Sequence, residues 1–482
     1  MKLLTCTALM LSLIILVSAQ PKIPKEKQAV IESVDARQER LIEISDQIWA
    51  LAETALEEMK SSRLLADEAE RQGFTVERGV AGMPSAFIAS YGSGKPVIGI
   101  LGEFDALPGL SQKASPDKEP LAEGRPGHGC GHNLFGTASL GAAIAILEQL
   151  REGNLKGTLR FYGTPAEETI GGKIYMAREG LFDDLDICLD WHPGAEMEAD
   201  AQSSQAMIDF RVFYEGKAAH AAADPWNGIS AVDALELYTT GINYLREHVK
   251  PTVRIHYLIE KAGDVVNVVP EKAVIWTRVR DRDREGMNLV YERILKIAEG
   301  AALMTGAGYS IDLISGWHEV LVNRTGAAVM QRNMELLGPV AYTEEEMNFA
   351  RSIQKATGKP EKGLDGAIHE LKETREDPSG GSTDVGDVSW IVPEIRLSAT
   401  TAPQGTPWHS WAVVACGGMS IGHKGMVFAA KALAMTMVDL YRDEDLRRKI
   451  REEFLERKGD YVYRAILPEG PPPVPASVGI SD

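Results

Sequence analysis

The stretch that decides the fold is residues 96–105, which read PVIGILGEFD. It begins as a continuous apolar run and ends in charged residues, which is typical of a buried strand whose carboxyl end carries polar groups. Residues 158–162 and 186–190 show the same pattern. Between the first two strands, residues 133–150 are mostly small and apolar and have helical spacing. Strands that alternate with helices predict an α/β domain with a largely parallel sheet. We expect Asn133 to cap the helix.

The pattern changes after about residue 204, where alternating strands replace continuous apolar runs. Four strands are predicted at 206–214, 252–260, 273–280 and 309–317, with helices at 227–247 and 285–304. This β-α-β-β-α-β order is the ferredoxin-like signature. The sequence therefore predicts a smaller domain at 204–318, inserted in a larger domain formed by 20–203 and 319–482. We expect further helices near 325–357 and 421–457.

Composition limits the class of protein. The chain has 482 residues, of which 44% are hydrophobic and 25% are charged, and this ordinary globular composition excludes a mostly disordered chain. The net charge of −18 argues against broad binding to nucleic acid or to an anionic membrane. It does not exclude a small anionic substrate, because one local Arg or Lys can override the mean field.

The amino terminus has the pattern of a secretory signal peptide. A basic start precedes an apolar run from Leu3 to Val17, and small residues end at Ala19. We expect cleavage after Ala19 and a periplasmic or secreted protein. An uncleaved anchor and a buried strand are the alternatives, although the run is short for a membrane span. Cys130, Cys188 and Cys416 remain after cleavage, and three cysteines cannot all form pairs within one chain.

Candidate ligands lie at the ends of the predicted strands. Asp105, the pair Glu167–Glu168, and His192 each lie at or just after a strand. Because the ends of parallel strands form the ligand crevice of an α/β fold, these segments should meet at one edge. Cys, His and carboxylate groups together are ligands for zinc, manganese or a similar divalent ion.

Each of these segments also has a structural interpretation. Cys130 and His132 alternate with glycines before a helix, so both side chains could reach one ion. The helix N-terminus should lower the pKa of the Cys130 thiol. A small-residue turn around a buried thiol explains the same residues equally well. Glu167 and Glu168 suit a base-plus-ligand division, since adjacent side chains point apart, but could be a solvated pair. His192 could be a satisfied core histidine. These structural interpretations would have to hold at several strand ends at once, so we favour a site.

Two weaker signals lie in the smaller domain. His220 stands among alanines in GKAAHAA, residues 216–222, directly after a predicted strand. Asn267 lies in GDVVNVVP, residues 263–270, in a loop between two strands. Either one could be a packing or loop residue, and neither indicates a function by itself.

Taken in order, these motifs resemble the metal-dependent amidohydrolase and exopeptidase family that includes carboxypeptidase G, aminoacylase and hippurate hydrolase. Within it the chain is most similar to the branch of the p-aminobenzoyl-glutamate hydrolases. The resemblance covers about residues 30–440 and rests on seven segments: GEFDALP (102–108), GHGCGHN (127–133), GTPAEE (163–168), GKAAHA (216–221), NVVPE (267–271), GTPWHSW (405–411) and SIGHKG (420–425).

The resemblance implies a catalytic α/β domain with a two-metal site and an inserted ferredoxin-like lid that forms a homodimer. Zinc or manganese is implied, with cobalt possible. The implied ligands are Cys130, bridging two ions, with His132, Glu168, His192 and His409; His423 is the alternative last ligand. Many members of the family have His or Asp at the position of Glu103, which leaves the coordination of the second ion open.

The resemblance also implies roles in catalysis. Glu167 matches the general base that takes a proton from a metal-activated water. Asp105 matches a carboxylate that orients a ligand. His220 matches a lid histidine that completes the site of the other subunit and stabilises the oxyanion, and Asn267 matches a substrate contact. The expected reaction is hydrolysis of the amide bond of N-acyl or N-aroyl amino acids. An exopeptidase for short peptides and a non-catalytic exported binding protein are the alternatives.

Overall fold

The structure, a computed structural model, describes residues 22–375 and 380–478. The predicted signal segment, 1–19, lies outside the described residues. The catalytic domain is built on a seven-stranded sheet. Its strands are β1 (Thr75–Arg78), β2 (Phe87–Gly92), β3 (Val97–Gly102), β4 (Thr158–Gly163), β5 (Ile187–Gly194), β6 (Glu198–Asp200) and β11 (Glu394–Thr400).

The sheet is mixed, with the spatial order β1-β2-β4-β3-β5-β11-β6. The four central strands, β4, β3, β5 and β11, run parallel to one another. The pairings toward both edges are antiparallel. The predicted α/β fold is therefore confirmed, with the parallel pairing confined to the centre. Strand β5 also continues past the predicted end at Asp190, so that His192 lies within it.

Eleven helices of the described residues belong to this domain. They are α1 (Lys25–Ala36), α2 (Gln38–Leu51), α3 (Met59–Gln72), α4 (His132–Arg151), α5 (Gly172–Arg178), α8 (Arg324–Leu337), α9 (Glu344–Ala356), α10 (Val385–Ser389), α11 (Trp411–Gly417), α12 (Ser420–Arg442) and α13 (Glu444–Lys458). Helices α4 and α12 pack against each other in the main hydrophobic core. Their small and apolar residues permit this close packing of two largely buried helices.

The expected cap of α4 is wrong. The helix begins at His132, and the residue before it is Gly131 in a left-handed conformation. Asn133 lies inside the first turn, where its Nδ2 donates to Ser45 Oγ at 3.0 Å and to the carbonyl of Gly417 at 3.2 Å. Asn133 therefore ties α4 to two neighbouring segments, and this tertiary use of the side chain replaces the capping bond.

A second sheet forms a separate layer, and we refer to residues 206–317 as the lid domain. Its strands are β7 (Ala206–Glu215), β8 (Arg254–Ala262), β9 (Lys272–Asp281) and β10 (Gly308–Trp317), and its helices are α6 (Ala231–Leu245) and α7 (Arg284–Thr305). The strand order β10-β7-β9-β8 is antiparallel throughout. The helices cover the sheet and share a core with it. This is the inserted ferredoxin-like unit that the sequence predicts.

Two chain segments join the lid domain to the catalytic domain, and a residue near the carboxyl terminus of the chain contacts this junction. Ser203 Oγ donates to the carbonyl of Val320 at 2.8 Å, which ties the two connections together. His318 Nδ1 lies 2.8 Å from Asp387 Oδ1, and His318 Nε2 lies 2.7 Å from the hydroxyl of Tyr461. The junction is therefore held by contacts between its own two connections, by Asp387 of α10, and by Tyr461, which follows α13.

The described residues contain three cysteines and no candidate for a straight membrane span. Cys130, Cys188 and Cys416 are all buried and free. Within the described ranges, no single helix is long and apolar enough to cross a membrane, and only the bent pair α11–α12 passes the length and composition test. Helix α12 is largely buried in the main core, which accounts for its apolar composition.

Candidate metal centre

The carboxyl ends of three neighbouring strands carry most of the candidate residues. Glu103 and Asp105 follow β3, Glu167 and Glu168 lie just beyond β4, and His192 lies within β5. Because β3 pairs in parallel with both β4 and β5, these segments reach the same edge of the sheet. All five residues are buried or half-buried there.

Cys130 and His132 reach this edge through the turn that enters α4. Gly131 has a φ of 80°, in the left-handed region that disfavours residues with a Cβ. A Cβ at Gly131 would also lie 3.0 Å from Pro193 Cβ. The glycine therefore permits a turn that places one candidate ligand just before the helix and the other at its first position.

Two groups of possible ligand atoms overlap at Cys130. One group contains Cys130, His132 and His192, and the other contains Cys130, Glu168 and His409. Within each group, the ligand atoms lie within 4.8 Å of one another. A thiol shared by two groups of three is the arrangement that two neighbouring ions with a bridging thiolate require.

Hydrogen bonds orient two of the imidazoles. His132 Nδ1 donates to Asp105 Oδ1 at 2.8 Å, and His192 Nδ1 donates to the carbonyl of Pro193 at 2.8 Å. In the neutral form of each ring this hydrogen bond places the proton on Nδ1 and leaves the Nε2 lone pair for a ligand. His192 Nε2 lies 3.4 Å from Cys130 Sγ, so it faces the shared thiol.

Several polar atoms at the centre have no hydrogen-bond partner among the described residues. They are His132 Nε2, Glu168 Oε1 and Glu103 Oε2, all buried. Unpaired polar atoms are costly in a protein interior, and three in one cluster call for a cation. Thiolate, imidazole and carboxylate are ligands for zinc, manganese or cobalt, so these residues fit a divalent metal centre.

The Asp105 carboxylate orients two of these candidate ligands. Its Oδ1 accepts from His132 Nδ1, and its Oδ2 accepts from the backbone N–H of Glu168 at 2.9 Å. The residue is buried. One carboxylate thus fixes an imidazole from α4 and the turn after β4 relative to each other, as the resemblance implies for this position.

Glu167 belongs to a third group of possible ligand atoms, with Glu103 and His132, and not to the group that contains Glu168. Burial raises the pKa of Glu167 well above its ordinary range, and the nearby charges of Glu103 and Glu168 raise it further. Burial also raises the pKa of Glu168, to about 7. The two adjacent glutamates therefore lie in different parts of one buried cluster, as a base-plus-ligand division requires.

The backbone just before Glu167 has a strained conformation, which a hydrogen bond to Glu58 stabilises. Ala166 has a φ of 60°, and its N–H donates to Glu58 Oε1 at 2.9 Å. Non-glycine residues in this region cost about 1–3 kcal/mol and persist where the surroundings enforce them. Buried Glu58 supplies that enforcement and directs the turn that carries Glu167 and Glu168.

The thiol of Cys130 does not follow the expectation from its helix. Burial raises the pKa of Cys130, and the charge of Glu168 raises it further. Burial and the neighbouring carboxylate therefore outweigh the lowering that we expect from the helix N-terminus. A divalent cation at the thiol would favour the thiolate, because its positive charge adds to that of His132.

His409 and His423 lie in different environments. His409 Nε2 lies 3.4 Å from Glu168 Oε2, and the residue has a φ of 55°. Its N–H donates to the carbonyl of Gly129 at 3.0 Å, which fixes it beside the Cys130 turn. His423 lies on α12 and pairs with Asp46 Oδ1 at 2.8 Å. The structure thus brings His409 to the ligand groups, and His423 is part of a separate pair.

The two lid candidates do not join these groups within one chain. His220 is exposed, and Asn267 lies on an exposed neighbouring loop. The loops pair with each other, since the N–H of Ala221 donates to the carbonyl of Asn267 at 3.1 Å. His220 Nδ1 accepts hydrogen bonds from the N–H groups of Ala222 and Ala223, both at 3.2 Å. The lid domain therefore presents His220 and Asn267 together on a solvent-facing surface.

Sequence reasoning missed Arg280, which lies near the end of β9 in the lid domain. Its charge contributes, after burial and His132, to a lowered pKa of His409, so it lies near the ligand groups. Its Nε is buried with no hydrogen-bond partner among the described residues. An arginine in an alternating strand has no distinctive local pattern, so only the fold reveals it.

Sequence reasoning also missed Lys173 and Asp384, which form buried ion pairs around Glu103. Lys173 follows two glycines in the short helix α5, and Asp384 lies just before α10. A lysine on an apolar segment is a weak signal in isolation. Its partner lies 211 residues further along the chain, so the pairing could not be inferred from spacing.

Comparison with known proteins finds a matching family model and similar proteins. The model of "Peptidase family M20/M25/M40" matches residues 99–394. A p-aminobenzoyl-glutamate hydrolase chain of Escherichia coli (strain K12) is 39% identical over 474 residues, which covers 92% of this chain and 98% of the relative. The Xaa-Arg dipeptidase of Mus musculus is 30% identical over 447 residues, covering 89% of this chain and 92% of the relative.

Solved structures share the fold. A putative aminohydrolase from methicillin-resistant Staphylococcus aureus superposes with a TM-score of 0.64 at 18% identity and covers 86% of this chain and 100% of its own. A dinuclear metal-binding peptidase of the M20 family from Bacillus subtilis gives a TM-score of 0.56 at 19% identity, covering 84% of this chain and 99% of its own. At these identities the likeness concerns the architecture alone.

Proposed function

The chain belongs to peptidase family M20/M25/M40, and we propose that it hydrolyses the amide bond of N-acyl or N-aroyl amino acids with two divalent ions. It is a metal-dependent hydrolase of this family. The observation that carries the proposal is the sharing of Cys130 by two groups of possible ligands, one with His132 and His192 and one with Glu168 and His409.

The proposed reaction divides the work between metal and protein. Bound ions would lower the pKa of a water molecule and polarise the scissile carbonyl. Glu167, beside the ligand groups, takes the proton from the attacking water and passes it to the leaving amine. Asp105 holds the His132 ring and the Glu168 backbone in fixed positions relative to each other during the reaction. Zinc, manganese and cobalt all suit these ligands.

We assign the carboxylate of the amino acid product to Arg280. Its charge helps to lower the pKa of His409, and its buried Nε lacks a hydrogen-bond partner among the described residues. A carboxylate is the ligand that such a guanidinium binds best, because two parallel hydrogen bonds can form. Binding there would place the substrate amide between the lid domain and the metal centre.

We also propose a homodimer in which the lid domain of a second copy supplies His220 and Asn267. Both residues lie outside the ligand groups of their own chain, on paired exposed loops. Strand β8 is an edge of the lid sheet and exposes Leu258 and Ile259, 59% and 45% accessible. An exposed apolar edge strand is a surface suited to pairing with another copy. His220 would then stabilise the developing oxyanion.

Localisation rests on the amino-terminal pattern alone. We propose that the protein is exported to the periplasm or secreted, after cleavage behind Ala19. Amino-terminal sequencing of the mature protein tests this: a first residue of Gln20 supports it, and an intact Met1 or retained segment contradicts it.

A dipeptidase is the second candidate function, and the relatedness to the Xaa-Arg dipeptidases favours it. The chemistry would be the same, with an aminoacyl group in place of the acyl group. A non-catalytic binding protein is disfavoured, since Glu167 is retained within the buried cluster.

The test is a hydrolysis screen on chelated protein reloaded with zinc, manganese or cobalt. The panel contains p-aminobenzoyl-glutamate, hippurate, N-acetyl amino acids and Xaa-Arg dipeptides, with Glu167→Gln protein as the background control. The proposal predicts metal-dependent release of an amino acid from an acyl or aroyl conjugate, above the Glu167→Gln rate. Cleavage of dipeptides alone would support the second candidate, and no cleavage with any metal would contradict both.

A further inference from the structure

A buried cluster next to the ligand groups has no role in the mechanism above. The Lys173 Nζ lies 2.6 Å from Glu103 Oε1 and 2.7 Å from Asp384 Oδ1. All three side chains are at most 1% exposed. A buried ammonium requires close pairing, because the cost of removing it from water is several kcal/mol. Two carboxylates supply that pairing here.

Three separate segments converge on this cluster. Glu103 follows β3, Lys173 lies in the first turn of α5, and Asp384 precedes α10. Asp384 also accepts a hydrogen bond at its Oδ2 from the Lys173 backbone N–H, at 2.9 Å. Lys173 is thus fixed at both its backbone and its ammonium, and it holds one oxygen of Glu103 in a defined place.

The other oxygen of Glu103 points at a candidate ligand. Glu103 Oε2 lies 3.0 Å from His132 Nε2. His132 Nδ1 donates to Asp105, so Nε2 presents a lone pair to a carboxylate that also has only lone pairs to offer. Two acceptors at this distance need a cation between them, which is a proton on Nε2 in the protein alone or a metal ion that takes the place of that proton.

The spacing suits one ion bound by both atoms. Metal–ligand bonds of about 2.1 Å place two neighbouring ligand atoms about 3 Å apart in an octahedral site and about 3.4 Å apart in a tetrahedral one. Glu103 Oε2 and His132 Nε2 have this separation, and neither has a hydrogen-bond partner among the described residues. Glu167 lies in the same group of atoms, so an ion there would also adjoin the proposed base.

We propose that Glu103 is a further carboxylate ligand of the ion held by His132, and that Lys173 is the positioning residue that presents it. This inference rests on the metal-dependent function proposed above. Lys173 occupies Oε1 of Glu103, so only Oε2 is directed to the ion. Asp384 holds Lys173 in turn and does not itself bind the metal.

The direct test is the metal affinity of Glu103→Gln protein. The amide keeps the size of the side chain but is a much poorer ligand. We expect the dissociation constant for Zn²⁺ or Mn²⁺, measured by competition with a chelator, to rise at least about 10–100-fold. The visible absorption spectrum of the Co²⁺-loaded protein should also change, because it reports the number and type of ligands. Glu68→Gln is the control, since Glu68 is buried and ion-paired in α3, away from the centre.

The positioning role of Lys173 needs a variant that keeps the charge balance. Lys173→Met alone leaves two buried carboxylates uncompensated and can prevent folding. Lys173→Met combined with Asp384→Asn removes one charge of each sign, so the protein should fold while Glu103 loses its anchor. We expect this double variant to show the weakened metal affinity and altered Co²⁺ spectrum of Glu103→Gln.

The results distinguish a failure of the Glu103 and Lys173 roles from a failure of the proposed metal-dependent function. Wild-type affinity and an unchanged Co²⁺ spectrum in Glu103→Gln would overturn the ligand role. Wild-type behaviour of the Lys173→Met, Asp384→Asn protein would overturn the positioning role. If the wild-type protein itself binds no divalent metal, the proposed function fails as well, whatever the variants do.

Discussion

At the scale of the residue, the adjacent glutamates carry the sharpest assignment, because they share a backbone and differ in surroundings. Glu167 lies with Glu103 and His132, whereas Glu168 lies with Cys130 and His409. Glu167→Gln should keep its metal and lose roughly 10²–10⁴-fold in turnover, the usual range for a general base. Parallel measurement of kcat and of metal content by mass spectrometry checks this.

Glu168→Gln is the matched comparison and should lose metal as well as activity. A Glu167→Gln protein with near-normal turnover, or with its metal lost, would contradict the division of roles. Both variants keep the size of the side chain, so their difference reports on the chemistry of the two carboxylates rather than on packing.

Much of the site can be predicted one residue at a time. The ends of parallel strands predict Asp105, Glu167, Glu168 and His192, because that topology dictates where they meet. The pairing of Lys173 with Glu103 and Asp384 cannot be predicted in this way. It depends on α5 and α10 meeting beyond the edge of the sheet, and no local periodicity encodes that meeting.

At the scale of the element, the turn into α4 decides whether Cys130 and His132 face one place. Gly131→Ala would put a Cβ at a φ of 80° and 3.0 Å from Pro193 Cβ. We expect a loss of about 1–3 kcal/mol of stability, together with weaker metal binding, since the strain displaces both flanking ligands. Thermal denaturation and chelator competition measure the two effects.

The control for this variant is Gly153→Ala, which tests strain alone. Gly153 has a φ of 78°, but a Cβ there would meet no atom within 4 Å, and it lies beyond the far end of α4. It should lose stability with metal affinity unchanged. Equal loss of metal affinity in both variants would show that the Gly131 turn has no specific role in the site.

The elements themselves are predictable where one pattern dominates. Continuous apolar runs predict the buried central strands, and alternation predicts the lid sheet. The predicted cap of α4 is wrong, because Asn133 bonds to Ser45 and Gly417 instead of to its own helix. Capping residues chosen from sequence compete with tertiary partners that the sequence does not reveal.

At the scale of the whole molecule, the proposed site needs two chains. An inactive His220→Ala protein mixed with an inactive Glu167→Gln protein should regain part of the activity after the chains exchange between dimers. In the mixed dimer one site lacks both groups and the other has both, provided that each lid serves its partner. Activity assays, with exchange followed by different tags on the two proteins, test this expectation.

Confirmed exchange without any regained activity would mean that His220 serves its own chain or takes no part in catalysis.

The insertion of a lid domain is predictable from the β-α-β-β-α-β order. Its attachment is not, because His318, Asp387 and Tyr461 come from three distant parts of the chain. Contacts of that kind depend on the completed fold.

The central claim is that two ions share Cys130. Anomalous X-ray scattering from crystals loaded with Zn²⁺ or Mn²⁺, recorded on both sides of the metal absorption edge, tests it most directly. We expect two peaks, each about 2.3 Å from Cys130 Sγ for zinc, one bound by His132 and His192 and the other by Glu168 and His409. A single peak, or two peaks that do not share Cys130, would contradict it.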